Sequence, residues 1–362
     1  MTTFADLGLK KDIVASVSFK EPSDVQKAVI PLALQKKNIF FTSRTGSGKT
    51  LAYLLGYLSR INTKLGIQML VLVPTRELAI QVGKEMMKIC DRLKINVGVL
   101  FGGREMSGDY RTVSKKLHIL VGTPGRITDH INAKTIKLGE VGLLVFDESD
   151  QMFDQGFFDA CVYIRSRVSK DVQLFLSSAT MTKKVNEFIY AQLGAHESLH
   201  IGDMIPKNIV QEKMFCKKED KNDALFRFFS SRKFSSAMVF CNTKLKCTAV
   251  SDFLAAKGFK AKPLSSDLEQ KAREATLSLF RAKQIKILVT TDVAARGLHI
   301  EKVGLIVNYD VPNRDEFYVH RIGRTGRVDN AGYALTLICP EDVDRFSRIE
   351  ADYALDISKK DF

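Results

Sequence analysis

Short apolar segments alternate with longer helix-like segments along the whole chain. In the first half the apolar runs are NIFFTS, MLVLVP, HILVGTP, GLLVFDE and VQLFLSSAT, and RELAIQVGKEMMKICDRL is a helix-like stretch between two of them. The second half follows the same plan with SAMVFCN, IKILVTTD, VGLIVNYD and YALTLIC. This alternation predicts an α/β fold in which parallel sheets are covered by helices on both faces.

The length of the chain points to more than one domain. A chain of 362 residues is long for a single hydrophobic core, so we expect two domains. Helical periodicity stops around LHIGDMIPKNIVQEK, where a proline also lies. We place the linker near residues 203–209, the first domain at residues 1–203 and the second at residues 204–362. In parallel sheets ligands bind beyond the carboxyl ends of the strands, where each motif below lies.

The segment SRTGSGKT, residues 43–50, joins the apolar run NIFF to the helix-like run LAYLLGYL. Small residues let successive N–H groups point at one anion, and a following helix adds its positive dipole end. Lys49 would reach the outer phosphates and Thr50 would help to hold Mg²⁺. An ordinary glycine-rich turn would not explain the Lys-Thr pair, although Ser43 stands where the strict pattern has glycine. We expect a nucleoside triphosphate to be bound by Ser43, Arg44, Thr45, Gly46, Ser47, Gly48, Lys49 and Thr50.

The run LLVFDESD is a predicted buried strand that ends in three carboxylates, Asp147, Glu148 and Asp150. Carboxylates this close repel one another and need a cation or a basic partner. Beside a phosphate loop, Mg²⁺ bound by Asp147, directly or through water, is the economical explanation. Glu148 is then placed to orient or deprotonate an attacking water. A solvated acidic turn is the alternative interpretation.

The segment HRIGRTGR, residues 320–327, carries Arg321, Arg324 and Arg327 at a spacing of three. On a helix this spacing would place the three guanidinium groups on one face. Planar, permanently charged groups suit phosphate oxygens, and in phosphoryl transfer they stabilise developing charge. A contact to an RNA backbone is the alternative. Because the phosphate loop lies in the other half, we expect a site that is complete only when two domains meet.

The charge balance favours a polyanionic partner. The net charge is +14, which suits nucleic acid, with simple solubility as the alternative. No stretch is apolar for long enough to span a bilayer, and MTTFADLGLKKD lacks a signal-peptide core, so we expect an intracellular protein with no membrane partner. Six scattered cysteines without a CxxC pair argue against a zinc site or a disulfide framework.

Ten motifs occur in a familiar order: SRTGSGKT, PTRELA, GG at 102 and 103, TPGR, DESD, SAT, VFCNT, QKAR, TDVAARGLHI and HRIGRTGR. In this order they resemble the DEAD-box RNA helicase family over nearly the whole chain. The resemblance implies two tandem RecA-like domains with the active site in the cleft between them. It also implies an enzyme that uses ATP and Mg²⁺ to separate short RNA duplexes or remodel RNA–protein complexes. An ATP-gated RNA clamp or assembly placeholder is the alternative function, whereas PTRELA and TPGR together disfavour a DNA translocase.

The same resemblance assigns residues to ATP. Phe4, Phe19 and Gln26 resemble the adenine-reading motif, in which the aromatic ring stacks on the base and the glutamine reads its edge. His299 stands where the family has an aspartate that holds the ribose, which puts the ribose contact in doubt. The implied catalytic residues are Lys49, Asp147, Glu148, Arg324 and Arg327, with Thr50 and Asp147 as the magnesium ligands.

The resemblance also assigns residues to RNA and to coupling. Ser178 and Thr180 would couple the nucleotide state to RNA binding, and Arg321 would pair across the closed interface. Sequence-independent contacts to an RNA backbone are implied for Pro74, Thr75, Arg76, Gly103, Thr123, Gly125, Arg126, Arg273, Thr291 and Gly297.

The biological setting is the least constrained part. SSDLEQKARE is faintly similar to segments of DEAD-box members that assemble ribosomal subunits. We therefore expect a role in ribosome biogenesis, in the nucleus or nucleolus, for a monomer that meets protein partners during RNA–protein assembly.

Overall fold

The structure is a computed structural model that describes residues 2–43, 46–202, 208–265, 267–295, 300, 303–326 and 331–360. The chain divides into two compact units, Met1–Gly202 and Asp203–Phe362. The predicted boundary between residues 203 and 204 falls outside the described residues and stays a prediction.

The first unit contains seven strands and nine α-helices in its described residues. The strands are β1 Ile39–Ser43, β2 Met69–Leu72, β3 Val97–Leu100, β4 Ile119–Gly122, β5 Leu143–Phe146, β6 Gln173–Ser178 and β7 Glu197–Ile201. The helices are α1 Lys11–Ser16, α2 Asp24–Leu34, α3 Lys49–Leu58, α4 Arg76–Cys90, α5 Tyr110–Val113, α6 Pro124–Asn132, α7 Ser149–Asp154, α8 Phe158–Ser166 and α9 Lys183–Phe188.

The second unit contains seven strands and six α-helices in its described residues. The strands are β8 Ile209–Phe215, β9 Ala237–Phe240, β10 Ala261–Leu264, β11 Ile287–Thr290, β12 Leu305–Asn308, β13 Gly332–Ile338 and β14 Ser358–Lys359. The helices are α10 Lys221–Ser230, α11 Lys244–Ala256, α12 Gln270–Arg281, α13 Asp292–Ala295, α14 Asp315–Ile322 and α15 Val343–Asp352.

The two sheets have the same topology. The strand order is β3-β4-β2-β5-β6-β1-β7 in the first sheet and β10-β11-β9-β12-β13-β8-β14 in the second. All neighbouring strands are parallel, so each sheet has one edge where every strand ends. The register brings Phe146 at the end of β5 beside Leu72 of β2 and Leu176 of β6. Residues that follow β1, β5 and β6 therefore meet at one edge of the first sheet.

Apolar side chains alternate between the two faces of each sheet. Ile39 and Phe41 of β1 belong to one hydrophobic cluster and Phe40 to another, so helices pack on both faces. In the second sheet Met238 and Val239 of β9 divide between two clusters in the same way. The predicted fold class is confirmed, because all strands are parallel and those formed by the predicted apolar runs are buried.

Five strands were not among the predicted apolar runs: β3, β7, β8, β10 and β14. β8 has the sequence IVQEKMF and only two fully buried positions, so it lacks a continuous apolar run. The predicted linker at residues 203–209 extends one residue into this strand, which begins at Ile209. None of the helices in the described ranges is long and apolar enough to cross a lipid bilayer.

Candidate functional site

The phosphate loop has the local geometry that its glycines predict. β1 ends at Ser43 and α3 begins at Lys49. Gly48 has a φ of +92°, and a Cβ there would lie 2.5 Å from Nε2 of Gln26, so only glycine fits. The Lys49 side chain is 6% exposed, and its Nζ donates to the Ser43 carbonyl oxygen at 3.3 Å. Its ammonium group therefore lies over the loop that would receive the phosphates.

Gln26 braces this loop from α2. Its Nε2 donates to the Gly48 carbonyl at 3.2 Å, and its Oε1 accepts from the Ser23 backbone N–H at 2.9 Å. Ser23 Oγ donates to the Ser47 carbonyl at 2.7 Å. The predicted adenine-reading role of Gln26 stays a prediction, and the structure shows a second role in holding the loop. Phe19 is 62% exposed, whereas Phe4 is 3% exposed in the core and so cannot stack on a base.

Asp147 is held by three hydrogen bonds directly after β5. The Tyr53 hydroxyl donates to its Oδ2 at 3.0 Å, the Ser177 hydroxyl donates to Oδ1, and the Glu148 N–H donates to Oδ1 at 3.1 Å. Burial and the nearby Asp147 charge raise the pKa of Tyr53 well above its ordinary value, so the hydroxyl stays a donor. This arrangement orients a carboxylate at the edge of the sheet, close to the helix that begins with Lys49.

Glu148 adopts a left-handed conformation with a φ of +53° and a ψ of +49° at the start of α7. A residue with a side chain adopts this region at a cost of about 1–2 kcal/mol, and such strain concentrates at functional sites. Its Oε2 accepts a hydrogen bond from Nε2 of Gln151 at 2.9 Å, one turn further along α7. The strained turn and Gln151 together fix the direction of this carboxylate.

Asp150, in the first turn of α7, connects the segment after β5 to the loop after β6. Its Oδ2 accepts from the Thr180 hydroxyl at 2.8 Å and from the N–H groups of Thr180 and Ala179 at 3.0 and 3.2 Å. Ser178 Oγ donates to the Thr180 carbonyl at 2.6 Å. The segment that was predicted to couple the nucleotide state to RNA binding is thus bonded directly to the segment that carries Asp147 and Glu148.

Arg126 is buried and forms hydrogen bonds to the loop that carries Gly103. Its Nε lies 2.9 Å from Oδ2 of Asp109 and 3.2 Å from the Phe101 carbonyl, and its Nη2 donates to the Arg104 carbonyl. Asp109 is fully buried and also faces Arg104. The guanidinium group of Arg126 is therefore engaged inside its own unit, and its predicted RNA contact stays a prediction.

The remaining RNA candidates of the first unit also lie at or just after strand ends. Thr75 caps α4 by accepting from the Leu78 N–H at 3.3 Å, and the Arg76 guanidinium lies 4.8 Å from the centre of the Phe101 ring. Thr123 precedes α6. Pro74 is buried, Gly125 is half-buried and Gly103 is exposed with a φ of +85°.

In the second unit two described RNA candidates support a single short helix. The Thr291 hydroxyl accepts from the Ala294 N–H at 3.3 Å, and Nη2 of Arg273 donates to the Ala294 carbonyl at 3.0 Å. Both residues therefore contact α13, at the end of β11. Their predicted contacts to RNA stay predictions.

Arg321 is a structural residue of the second unit. Its five N–H groups meet five acceptors: both carboxylate oxygens of Asp292 at 2.6 and 2.7 Å, the Asp310 carbonyl at 2.6 Å, Asn242 at 2.9 Å and Asn308 at 3.4 Å. Its side chain is 1% exposed. All its donors are used inside its own unit, and its predicted pairing across the interface stays a prediction.

Arg321 and Arg324 do not share a helix face. α14 ends at Ile322, so Arg321 lies in its last turn and Arg324 follows it, with the Arg324 side chain 9% exposed. The predicted shared helix face is therefore wrong for Arg321 and Arg324. Five of the predicted site residues lie outside the described residues: Arg44, Thr45, Gly297, His299 and Arg327.

Four supporting residues were missed from the sequence: Tyr53, Gln151, Ser177 and Asp292. Tyr53 lies four residues after Lys49 on α3, a spacing that could have suggested a shared face. Gln151 has the same type of relation to Glu148, three residues away. Ser177 carried no signal beyond its position next to SAT, and Asp292 none beyond its position inside TDVAARGLHI.

Comparison with known proteins decides the family. Residues 23–188 match the family model described as DEAD/DEAH box helicase, and residues 220–329 match the one described as helicase conserved C-terminal domain. The chain is 37% identical over 356 residues to the DEAD-box ATP-dependent RNA helicase CshA of Geobacillus kaustophilus, covering 97% of this chain and 76% of that protein. The chain belongs to the DEAD-box RNA helicase family.

Other DEAD-box helicases extend this comparison. The Bacillus subtilis protein of the same name is 38% identical over 355 residues, with 96% of this chain and 72% of that protein covered. The structure of Saccharomyces cerevisiae Dbp5 bound to RNA and ADP BeF3 matches with a TM-score of 0.89 at 29% identity, over 99% of this chain and 96% of that chain. This DEAD-box protein is therefore an ATP-dependent RNA helicase built from two tandem RecA-like domains, as the motifs predicted.

Proposed function

We propose that the carboxyl edge of the first sheet is the site of ATP hydrolysis and that hydrolysis is coupled to RNA remodelling through Asp150. The observation that carries the proposal is the set of bonds from Asp150 to Thr180 and Ala179. Asp147 and Glu148 lie in the loop just before Asp150, and Ser178 is the last residue of β6, just before the loop that carries Thr180. A change at the triphosphate can therefore move the second loop without an intermediate element.

Glu148 is proposed as the general base. Water attacks the terminal phosphorus of ATP, its proton passes to the Glu148 carboxylate, and the bond to the bridging oxygen breaks to release ADP. Gln151 donates to Oε2 of Glu148 at 2.9 Å and so holds the carboxylate that would take the proton. Lys49 binds the outer phosphates at the start of α3, where backbone N–H groups and the helix dipole also favour anions.

The residues present fit Mg²⁺. Thr50 and Asp147 supply a hydroxyl and a carboxylate, which are the oxygen donors that this ion prefers. No group of three or more His, Cys, Asp or Glu side chains among the described residues is arranged to hold a metal ion. Two oxygen donors from the protein suit Mg²⁺, which keeps several waters and relies on substrate phosphates. When bound, the ion would neutralise phosphate charge, and the hydrogen bonds from Tyr53 and Ser177 would hold the Asp147 carboxylate in place.

The RNA strand is proposed to lie along the loops that follow β2, β3 and β4. Thr75, Gly103 and Thr123 stand in these loops, and Arg76 offers a cationic group beside the Phe101 ring. Such contacts reach sugar and phosphate and do not depend on base sequence.

The predicted contribution of Arg327 to the bound triphosphate is tested by Arg327→Ala, for which we expect a loss of roughly 10³-fold in turnover.

The test of the proposed function is ATP turnover by the full chain with single-stranded RNA, with DNA of the same sequence, and with neither. RNA-specific stimulation together with separation of a short RNA duplex supports an unwinding enzyme. Tight ATP-dependent RNA binding without strand separation would assign the clamp or placeholder role. Equal stimulation by DNA would contradict the RNA specificity.

The proposed setting is an intracellular one in which the helicase remodels RNA–protein complexes as a monomer. Ribosome assembly is retained as the proposed pathway on the strength of SSDLEQKARE alone. The two CshA relatives named above come from bacteria, so they lend no support to a nuclear or nucleolar location. Sedimentation of the protein with ribosomal precursors in lysate, compared with the Glu148→Gln variant, tests this setting, and absence from every such fraction would contradict it.

A further inference from the structure

Exposed lysines line the amino edge of the first sheet, opposite the edge that carries Lys49 and Asp147. Each connection that leads into strands β1 to β6 contains at least one of them, and parallel strands bring all six connections to the same edge. We call these residues the lysine edge: Lys36, Lys37, Lys64, Lys94, Lys115, Lys116, Lys134, Lys137 and Lys170.

Little negative charge offsets the lysine edge. The same six connections contain three carboxylates, Asp91, Glu140 and Asp171, and Glu140 already accepts from the Gly66 N–H. Among the described residues only Lys37 of the nine lysines has an ion-pair partner, Glu197 of β7 at 3.8 Å. The lysine edge is therefore a row of exposed cationic groups, most of which form no ion pair with the described residues.

The connections that carry these lysines are bonded to one another. His118 is 2% exposed. Its Nδ1 accepts a hydrogen bond from the Asn96 N–H at 2.8 Å, and its Nε2 lies 3.2 Å from the Thr63 carbonyl oxygen. Asn96 Nδ2 donates to the Lys116 carbonyl at 2.8 Å. The entries to β2, β3 and β4 thus form one polar platform. With about 4.8 Å between neighbouring strands, the six strand entries span about 24 Å.

The backbone at three of these lysines is strained. Lys36, Lys94 and Lys134 have φ values of +61°, +56° and +55°, each in the connection that follows a helix. Glycine is the usual residue there, because a side chain is disfavoured in the left-handed region. In the first unit the only other described non-glycine residue with a positive φ is Glu148, the proposed general base. Strain that glycine would remove points to a use for the side chain.

We propose that the lysine edge is a second RNA-binding surface, which holds the phosphate backbone of RNA that flanks the strand bound at the carboxyl edge. The proposal rests on the proposed function, because it assumes an RNA substrate. A row of compact point charges suits phosphates and carries no base sequence. A membrane is a poorer partner, since Leu65 is the one large hydrophobic residue of these described connections that is exposed.

The test is the triple variant Lys36→Gly, Lys94→Gly and Lys134→Gly in the full chain. Glycine relieves the left-handed backbone, so we expect an unchanged or raised melting temperature. Affinity for a single strand of about 40 nucleotides should fall about 10-fold at low salt, whereas affinity for one of about 10 nucleotides, which fills one groove site, should change less than 2-fold. The slope of log K against log salt should decrease by about 2, at about 0.7 for each lost phosphate contact.

Two controls isolate the cause. Lys27→Gln, Lys84→Gln and Lys88→Gln remove the same charge from exposed positions of α2 and α4, and should leave the preference for long RNA intact. Ala354→Gly relieves a φ of +47° without a change of charge, and should alter stability alone. Equal loss of long-RNA affinity in the charge control would overturn the proposal, because net charge and not position would then be responsible.

Two further outcomes decide between partners. Unchanged affinity and salt slope for long RNA in the glycine variant would overturn the proposal, as would loss of binding to phosphatidylserine vesicles with RNA binding intact. RNA binding is measured without nucleotide, and ATP turnover is measured separately with the short RNA. If the proposed function fails, the native protein will show no RNA-stimulated ATP turnover. The comparison of affinity for long and short RNA does not depend on turnover, so it still tests the lysine edge.

Discussion

The carboxyl edges of the two sheets use the same residue types in different ways. β1 and β8 hold the same place in the two strand orders, and each is followed by a helix that begins with a lysine, Lys49 in α3 and Lys221 in α10. In the first unit Lys49 donates to a backbone carbonyl of the phosphate loop. In the second unit Lys221 pairs with Asp310, just after β12, at 3.2 Å.

Asp310 therefore neutralises the lysine that would otherwise face a ligand. Lys246 also pairs with Asp310, at 3.0 Å, and the Asn242 N–H donates to it at 2.9 Å. Burial alone would lower the pKa of Lys221, but Asp310, Cys339 and Asp342 together outweigh burial and the pKa is raised. Burial alone would raise the pKa of Asp310, but the Asn242 N–H and the two lysines lower it. A shared topology thus gives a ligand site in one unit and a closed structural ion pair in the other.

The largest expected effect is on hydrolysis by Glu148→Gln. The amide keeps the shape of the side chain but cannot accept a proton, so turnover should fall by about 10²–10⁴-fold while ATP and RNA still bind. The measurement is steady-state phosphate release at saturating RNA, with Glu187→Gln on the exposed face of α9 as a matched control. Near-native turnover would show that Glu148 is not the base.

The second prediction is a loss of turnover in Lys49→Met. Removal of one preorganised cation from the triphosphate should lower turnover by about 10²–10³-fold. Stability should not fall, because Lys49 pairs with no carboxylate among the described residues. Thermal denaturation and phosphate release on the same sample check both parts. A large loss of stability with turnover intact would mean that Lys49, like Lys221, has a structural role and does not bind the triphosphate.

The third prediction concerns Lys221→Met, which should act on stability and not on chemistry. The substitution leaves Asp310 buried with only the more exposed Lys246, so the free energy of unfolding should fall by about 3 kcal/mol. Lys246→Met is the control and should cost at most about 1 kcal/mol, because that side chain is 44% exposed. Hydrogen exchange of peptides from α10 and β12 locates the change. Unaltered exchange in Lys221→Met would mean that the ion pair contributes nothing.

The smallest expected effect is the acid dependence of this ion pair. Because the folded pKa of Asp310 lies below its ordinary 3.8, its stabilisation is complete above pH 3.8 and is lost as the pH falls through the folded value. The difference in melting temperature between the native protein and Asp310→Asn should therefore be constant from pH 6 to about pH 4 and shrink below it. If the difference in melting temperature persists unchanged to pH 2, the contribution of Asp310 to stability does not come from its charge.

The amino-acid sequence by itself determined the parallel sheets, the phosphate loop and the carboxylates after β5. These features depend on neighbouring residues: apolar runs give buried strands, and Gly46, Ser47 and Gly48 give the loop its turn. The end of a helix was not determined in this way: α14 ends at Ile322, before Arg324, and so Arg321 and Arg324 do not share one helix face.

Tertiary structure decided which side chains are available. Strand order brings together partners that are far apart in the chain, such as Gln26 with Gly48 and Arg321 with Asn242, 79 residues away. Arg321 and Lys49 are both cations in recognised motifs, but only the fold shows that the first is fully bonded inside its unit. The lysine edge is likewise assembled from six separate connections, because parallel strands collect their entries at one side of the sheet.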